Sequence, residues 1–173
     1  MAQFPERCHV VGAYALGKAQ RVIRLLREAG WDRPIHVHGA LDRLNEVYAR
    51  FGVDLGPLLP ATGAAKAELA GAIVIAPPSA LATPWARRFP DPVDAFASGW
   101  MRVRARARQR GVELPLIISD HADWDELTAT VGELRPAELW ITHGREEALA
   151  RWAGLNGIAA RALALVGYED EDA

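Results

Sequence analysis

The chain lacks most of the features that would mark a secreted, membrane-bound or strongly basic protein. It has one cysteine, Cys8. An internal disulfide is therefore excluded, and a reducing compartment is the natural expectation. Its 20 basic and 22 acidic side chains nearly cancel, leaving a formal charge of −2. With no strong overall field, any attraction for nucleic acid has to come from a local patch. No apolar run is long enough to span a bilayer. The opening residues MAQFPER lack the apolar region of a signal peptide. No internal repeat recurs at a fixed period. A soluble cytoplasmic protein with no membrane partner is expected.

What is present is a chain of 173 residues, half of them hydrophobic. That suffices for one core, or one core with two lobes. Short apolar runs alternate with helix-period segments about six times. The runs are CHVVGAY (8–14), PIHVHGAL (34–41), GAIVIAPP (71–78), PVDAFASGWM (92–101), 114–119, 137–142 and 158–167. The helical segments are 15–30, 41–52, 124–134 and 145–157, with 53–71 reading as a loop holding one short helix. Such alternation predicts an α/β fold with a mostly parallel sheet flanked by helices. The almost wholly apolar run GAIVIAPP predicts a strand buried on both faces. Ser79 is placed as the cap of the following helix and Pro90 as its stop.

The most informative stretch is PLIISDHADWDELTATVGELRPAELWITHG (115–144). Two apolar runs each end in a histidine, His121 and His143, with a helical segment between them. Beyond the carboxyl ends of parallel strands, both would face one crevice. Histidine carries a proton near neutral pH and also ligates metals. Asp120 and Asp123 flank His121 and are candidates to orient its ring or hold an ion. The competing reading, a solvated loop histidine, stays open on spacing alone.

Further candidates lie upstream. In GAYALGKAQ (12–20), Gly17 permits close backbone approach and the helix start favours an anion. Lys18 then either meets a phosphate or is a solvated helix residue. The HxH pair His36 and His38 invites a zinc reading, but i and i+2 lie about 6–7 Å apart along a strand, and no carboxylate–histidine pair follows. A packing or strand-end role is preferred for both. Ser98, Gly99 and Trp100 combine a hydroxyl, a small residue and a stacking face. The run MRVRARARQRG (101–111) carries Arg102, Arg104, Arg106, Arg108 and Arg110. It is a local positive patch suited to a nucleic-acid backbone. YEDEDA (168–173) is an acidic tail.

SDHADW followed by THG, with the upstream ALGKAQ, resembles the C-terminal part of metallo-β-lactamase enzymes that carry a β-CASP insert. These are zinc-dependent nucleases, and the likeness is to the bacterial ligase-associated DNA exonucleases. The resemblance implies a β-CASP lobe over 6–107 and the closing βαβ segment of a metallo-β-lactamase fold over 108–167. It implies that His143 is a zinc ligand, that His121 protonates the leaving group, and that the 98–100 segment lines the cleft. It further implies two zinc ions, DNA as substrate with RNA as the alternative, and DNA ligase and helicase as partners. The family's HxHxDH motif and most of its other zinc ligands have no match here. A phosphodiesterase activity is therefore expected only together with the N-terminal metallo-β-lactamase half, and the isolated chain is expected to be inactive. Without that half, the apolar faces of 114–119 and 137–142 should be partly uncovered and favour self-association. The alternative is a non-catalytic module that binds nucleic acid or protein.

Overall fold

The computed structural model describes residues 4–89, 91–103, 108, 111–142 and 146–163. The chain divides into two compact units, Met1–Asp120 and His121–Ala173.

The first unit is built on a six-stranded, all-parallel sheet. Its strands are β1 His9–Gly12, β2 Ile35–Val37, β3 Leu58–Pro60, β4 Ile73–Ala76, β5 Val93–Ala97 and β6 Leu114–Leu116. They lie in the order β3-β2-β4-β1-β5-β6, and every neighbouring pair runs parallel. The α/β architecture expected from the alternating pattern is the one observed.

Alternation along the strands sorts side chains to two faces. Val11 pairs with Ile75 on one side and Ala95 on the other. These residues join Ala19, Val22 and Ile23 of α1 (Lys18–Glu28), with Leu41 and Leu55, in one apolar layer. On the opposite face, Val10 and Val74 pack with Cys8, Ala61, Leu69 and Phe89. Helices α3 (Lys66–Leu69) and α4 (Pro78–Leu81) and a 3-10 turn over Pro84–Arg88 supply that side. Strands β1 and β4 are buried along their whole length, as a central strand covered on both faces must be. Each buried isoleucine stabilises the fold by roughly 1.5–3 kcal/mol.

Helix α1 forms where apolar residues recur at helical spacing. It ends at Glu28, just before Gly30 turns left-handed at φ 89°. Arg27 ties its last turn to four backbone carbonyls, those of Trp31, Arg33, Leu55 and Pro57. Helix α2, Asp42–Arg50, follows a 3-10 turn at Gly39–Leu41.

Three local expectations need correction. Strand β3 lies in the segment expected to be loop, because two leucines between prolines carry no readable period. It is a sheet edge, where proline is tolerated. Ser79 is not a helix cap: it lies inside α4, whose cap position is Pro77. The run 92–101 is strand only to Ala97 and then becomes a 3-10 turn over Gly99–Arg102.

At the amino ends of the strands, Arg7 grips Glu113 at 2.6 and 3.0 Å and Asp91 at 3.3 Å. The hydrogen bonds from Arg7 hold the Glu113 carboxyl below the usual range. Nearby, burial pushes the Cys8 thiol up to about 11. Cys8 is 4% exposed. At neutral pH the folded chain should therefore resist an alkylating reagent, because the thiolate is the nucleophile. Labelling should appear only after denaturant is added. Full labelling of the folded protein within minutes would contradict this packing.

The second unit holds α5 (Trp124–Leu134), β7 (Glu138–Ile141), α6 (Glu146–Leu155) and β8 (Ala159–Ala162). Its strands form a separate two-stranded parallel sheet. The small core is Val131, Ala153 and Ile158 with Leu139, Trp152 and Ala160. Trp140, Leu134 and Leu155 are exposed. The expectation that His121 and His143 follow two strands of one sheet is therefore corrected. The strand before His121 pairs with β5 in the large sheet, whereas the strand before His143 pairs only with β8 among the described residues. No helix among the described residues is long and apolar enough to cross a membrane.

Candidate functional site

The strand order sets a switch point between β1 and β5. From β1 the chain leads through α1 toward β2, on one side of the sheet, while from β5 it leads to β6 on the other. Between two adjacent strands whose connections diverge, the carboxyl ends are left open, and this is where parallel sheets place their sites. Three segments meet at this end of the first unit: 13–18 after β1, 98–100 after β5 and 117–120 after β6.

Gly17 begins α1 with φ 81°, a conformation that suits glycine. Its N–H donates to Gln20 Oε1 at 2.9 Å, and Gln20 Nε2 donates to Asn45 Oδ1 at 2.8 Å. Lys18 is not solvated. It is 4% exposed, its Nζ lies 2.9 Å from Asp120 Oδ1, and it sits 5.1 Å from the centre of the Tyr14 ring. The carboxyl side chain of Asp120 keeps a third of its surface exposed. One turn along α1, Arg21 Nη1 donates to the Ser119 carbonyl at 2.8 Å.

Ser98 is buried, and its Oγ accepts from the Trp100 N–H at 3.3 Å, starting the 3-10 turn. The Ser98 N–H donates to the Leu116 carbonyl at 3.0 Å. Gly99 packs on Ser119: a Cβ added at Gly99 would lie 3.2 Å from Ser119 Cβ and 3.3 Å from its Oγ. A side chain at Gly99 would press on Ser119 unless the serine shifted by a few tenths of an ångström. Trp100 is 54% exposed and Arg102 is exposed. Tyr14, Leu16, Val103 and Ile117 add exposed apolar surface at the same end of the sheet.

In the second unit, His121 is exposed and is the first residue of that unit. Asp123 starts α5: its Oδ1 accepts from the Glu126 N–H at 2.9 Å, and Glu126 Oε2 accepts from the Asp123 N–H at 3.0 Å. This reciprocal pair is a capping box. At least one oxygen of Asp123 is thereby committed to the helix start. Arg104, Arg106 and His143 lie outside the described residues.

Of the sequence candidates, Lys18 and Asp120 pair directly, and Ser98 and Gly99 reach the same 116–119 segment. The two remaining histidine candidates serve packing, as preferred from the sequence. His36 is buried with Nδ1 3.5 Å from the Pro60 carbonyl. His38 Nδ1 accepts from the Ala40 N–H at 3.0 Å, and its ring meets Trp85 edge-on. Among the described residues, no three histidine, cysteine, aspartate or glutamate side chains gather as a metal site. Sequence spacing missed the Arg21–Ser119 bond and the Lys18–Asp120 pair. No local signal announces either, since the partners lie about a hundred residues apart.

No family model matches the chain. A curated protein does. The chain is similar to part of a protein named "Probable DNA ligase" from Opitutus terrae (strain DSM 11246 / JCM 15787 / PB90-1). The two are 28% identical over 153 residues. The match covers 83% of this chain but 15% of the ligase. The chain thus spans a small part of the length of the relative it matches.

Proposed function

We propose that this chain is the nucleic-acid-gripping part of a DNA-processing phosphodiesterase that works beside a DNA ligase. The observation that carries this proposal is the 153-residue similarity to part of a much longer protein named as a probable DNA ligase. The open carboxyl end of a parallel sheet, ringed by Trp100, Arg102 and exposed apolar side chains, suits a single strand.

In this proposal the chain contributes residues, not a whole centre. Arg102, with Arg104 and Arg106, engages backbone phosphates as a local positive patch. Trp100 offers a stacking face to a base. His121 holds the proton that passes to the leaving oxygen when the phosphodiester breaks. Two zinc ions in the complete enzyme would supply charge neutralisation and an activated water. His143 would be one ligand, but the described residues contain no donor set that could hold zinc. The remaining donors would come from an N-terminal metallo-β-lactamase half, on the same gene or a separate chain. The bare apolar side chains of the second unit suit either that half or a second copy of this chain.

The test combines binding and cleavage. The chain alone should bind single-stranded DNA, with affinity falling as salt rises, and should not cut it. Arg104→Ala with Arg106→Ala should make the slope of log K against log salt about 1.4 shallower, at about 0.7 per lost contact on single strands. Unchanged binding would remove the arginine patch. Adding the N-terminal half should bring zinc and hydrolysis. Salt-sensitive binding with no cleavage under any pairing would instead favour a non-catalytic binding module.

A further inference from the structure

Lysine at the first position of α1 is physically costly. Its ammonium lies at the positive end of the helix dipole and is almost wholly buried. A buried ion pair seldom stabilises a fold more than a well-packed apolar side chain of similar size. Packing alone therefore does not explain why Lys18 stands here.

The partner explains it. Asp120 is the residue immediately before His121, and Ser119 precedes Asp120. Both are tied to the same helix face, Ser119 through its carbonyl to Arg21 and Asp120 through its carboxylate to Lys18. Gly99 lets Ser119 settle against the turn after β5. Three attachments thus converge on two successive residues at the end of β6. An ammonium on a four-carbon stem, steadied over the Tyr14 ring, holds one carboxylate in one place.

We propose that Lys18 is a positioning residue, which with Arg21 fixes the backbone that delivers His121 and does not contact phosphate. This rests on the proposed role of His121 as proton donor. In it, Lys18 changes the rate of the chemical step without changing nucleic-acid affinity.

The experiment uses Lys18→Met and Arg21→Met in the full chain. Met fills the volume of Lys18, and Arg21 lies on the surface, so the second variant folds even if the first does not. Amide hydrogen exchange over 117–122 should accelerate by about fivefold in both variants, while Val22 and Ile23 in α1 keep their protection. The His121 ring resonances should shift or broaden. Unchanged exchange over 117–122 and unchanged His121 resonances would overturn the proposal. If Lys18→Met also exposes Val22 and Ile23, Arg21→Met decides alone. The salt slope of single-strand binding should stay as in the unmodified chain for Lys18→Met. A slope shallower by about 0.7 would show a phosphate contact and overturn the proposal. With the N-terminal half present, kcat should fall and KM should hold. If the unmodified complete protein cuts nothing, the catalytic reading fails while the exchange and resonance measurements still decide whether Lys18 positions His121.

Discussion

Asp120→Ala should destabilise the first unit by about 3 kcal/mol, the low end of what breaking a buried ion pair costs. Lys18→Met should cost about 1 kcal/mol or less, as for a pair open to water. The asymmetry follows from burial. The Lys18 side chain is 5% exposed and that of Asp120 is 33% exposed. Removing the carboxylate leaves an ammonium with no counter-charge and almost no water. Removing the ammonium leaves a carboxylate that can hydrate, and Met keeps the contacts of the lysine stem. Urea unfolding of the two variants, followed by far-ultraviolet circular dichroism, measures the difference directly. Equal losses, or a larger loss for Lys18→Met, would show that the pair is not arranged as described.

The second large effect is chemical. In the complete protein, His121→Asn should lower the rate of phosphodiester cleavage by about 10²–10⁴-fold, the usual contribution of a positioned acid or base. Asparagine approximates the size of the ring and retains a donor, but it cannot pass a proton. Zinc content and single-strand affinity should not change. A variant with full rate would remove His121 from the chemistry. Loss of zinc would point instead to a ligand role.

Much of this molecule could be read from its residues in order. The run IVIA between Gly71 and Pro77 could only be a doubly covered strand, and it lies at the middle of the sheet. The helical segment expected over 124–134 is α5, Trp124–Leu134. The helical spacing of Leu16, Ala19, Val22, Ile23 and Leu26 marks one face of α1: Ala19, Val22 and Ile23 are buried and Leu26 packs at the margin, while Leu16 precedes the helix and is exposed. Each is a local property, set by side-chain period.

Other features were illegible for an equally definite reason. Strand β3 is three residues at an edge, held by backbone bonds to β2, and proline-rich sequence hides it. That the strand before His121 belongs to the large sheet is decided by its ladder with Ala95 and Ala97, not by its own composition.

By itself, then, the sequence determined the alternation of strand and helix, the parallel sheet and the burial of its centre, because hydrophobic period acts over neighbouring residues. It also placed Lys18, Gly99 and Asp120 without saying what each of them meets. Only the tertiary structure decided that Lys18 leaves solvent for Asp120 and that Gly99 makes room for Ser119. Those contacts join residues far apart in the chain, and a pairing across the sheet is set by strand order and close packing, which no local pattern encodes.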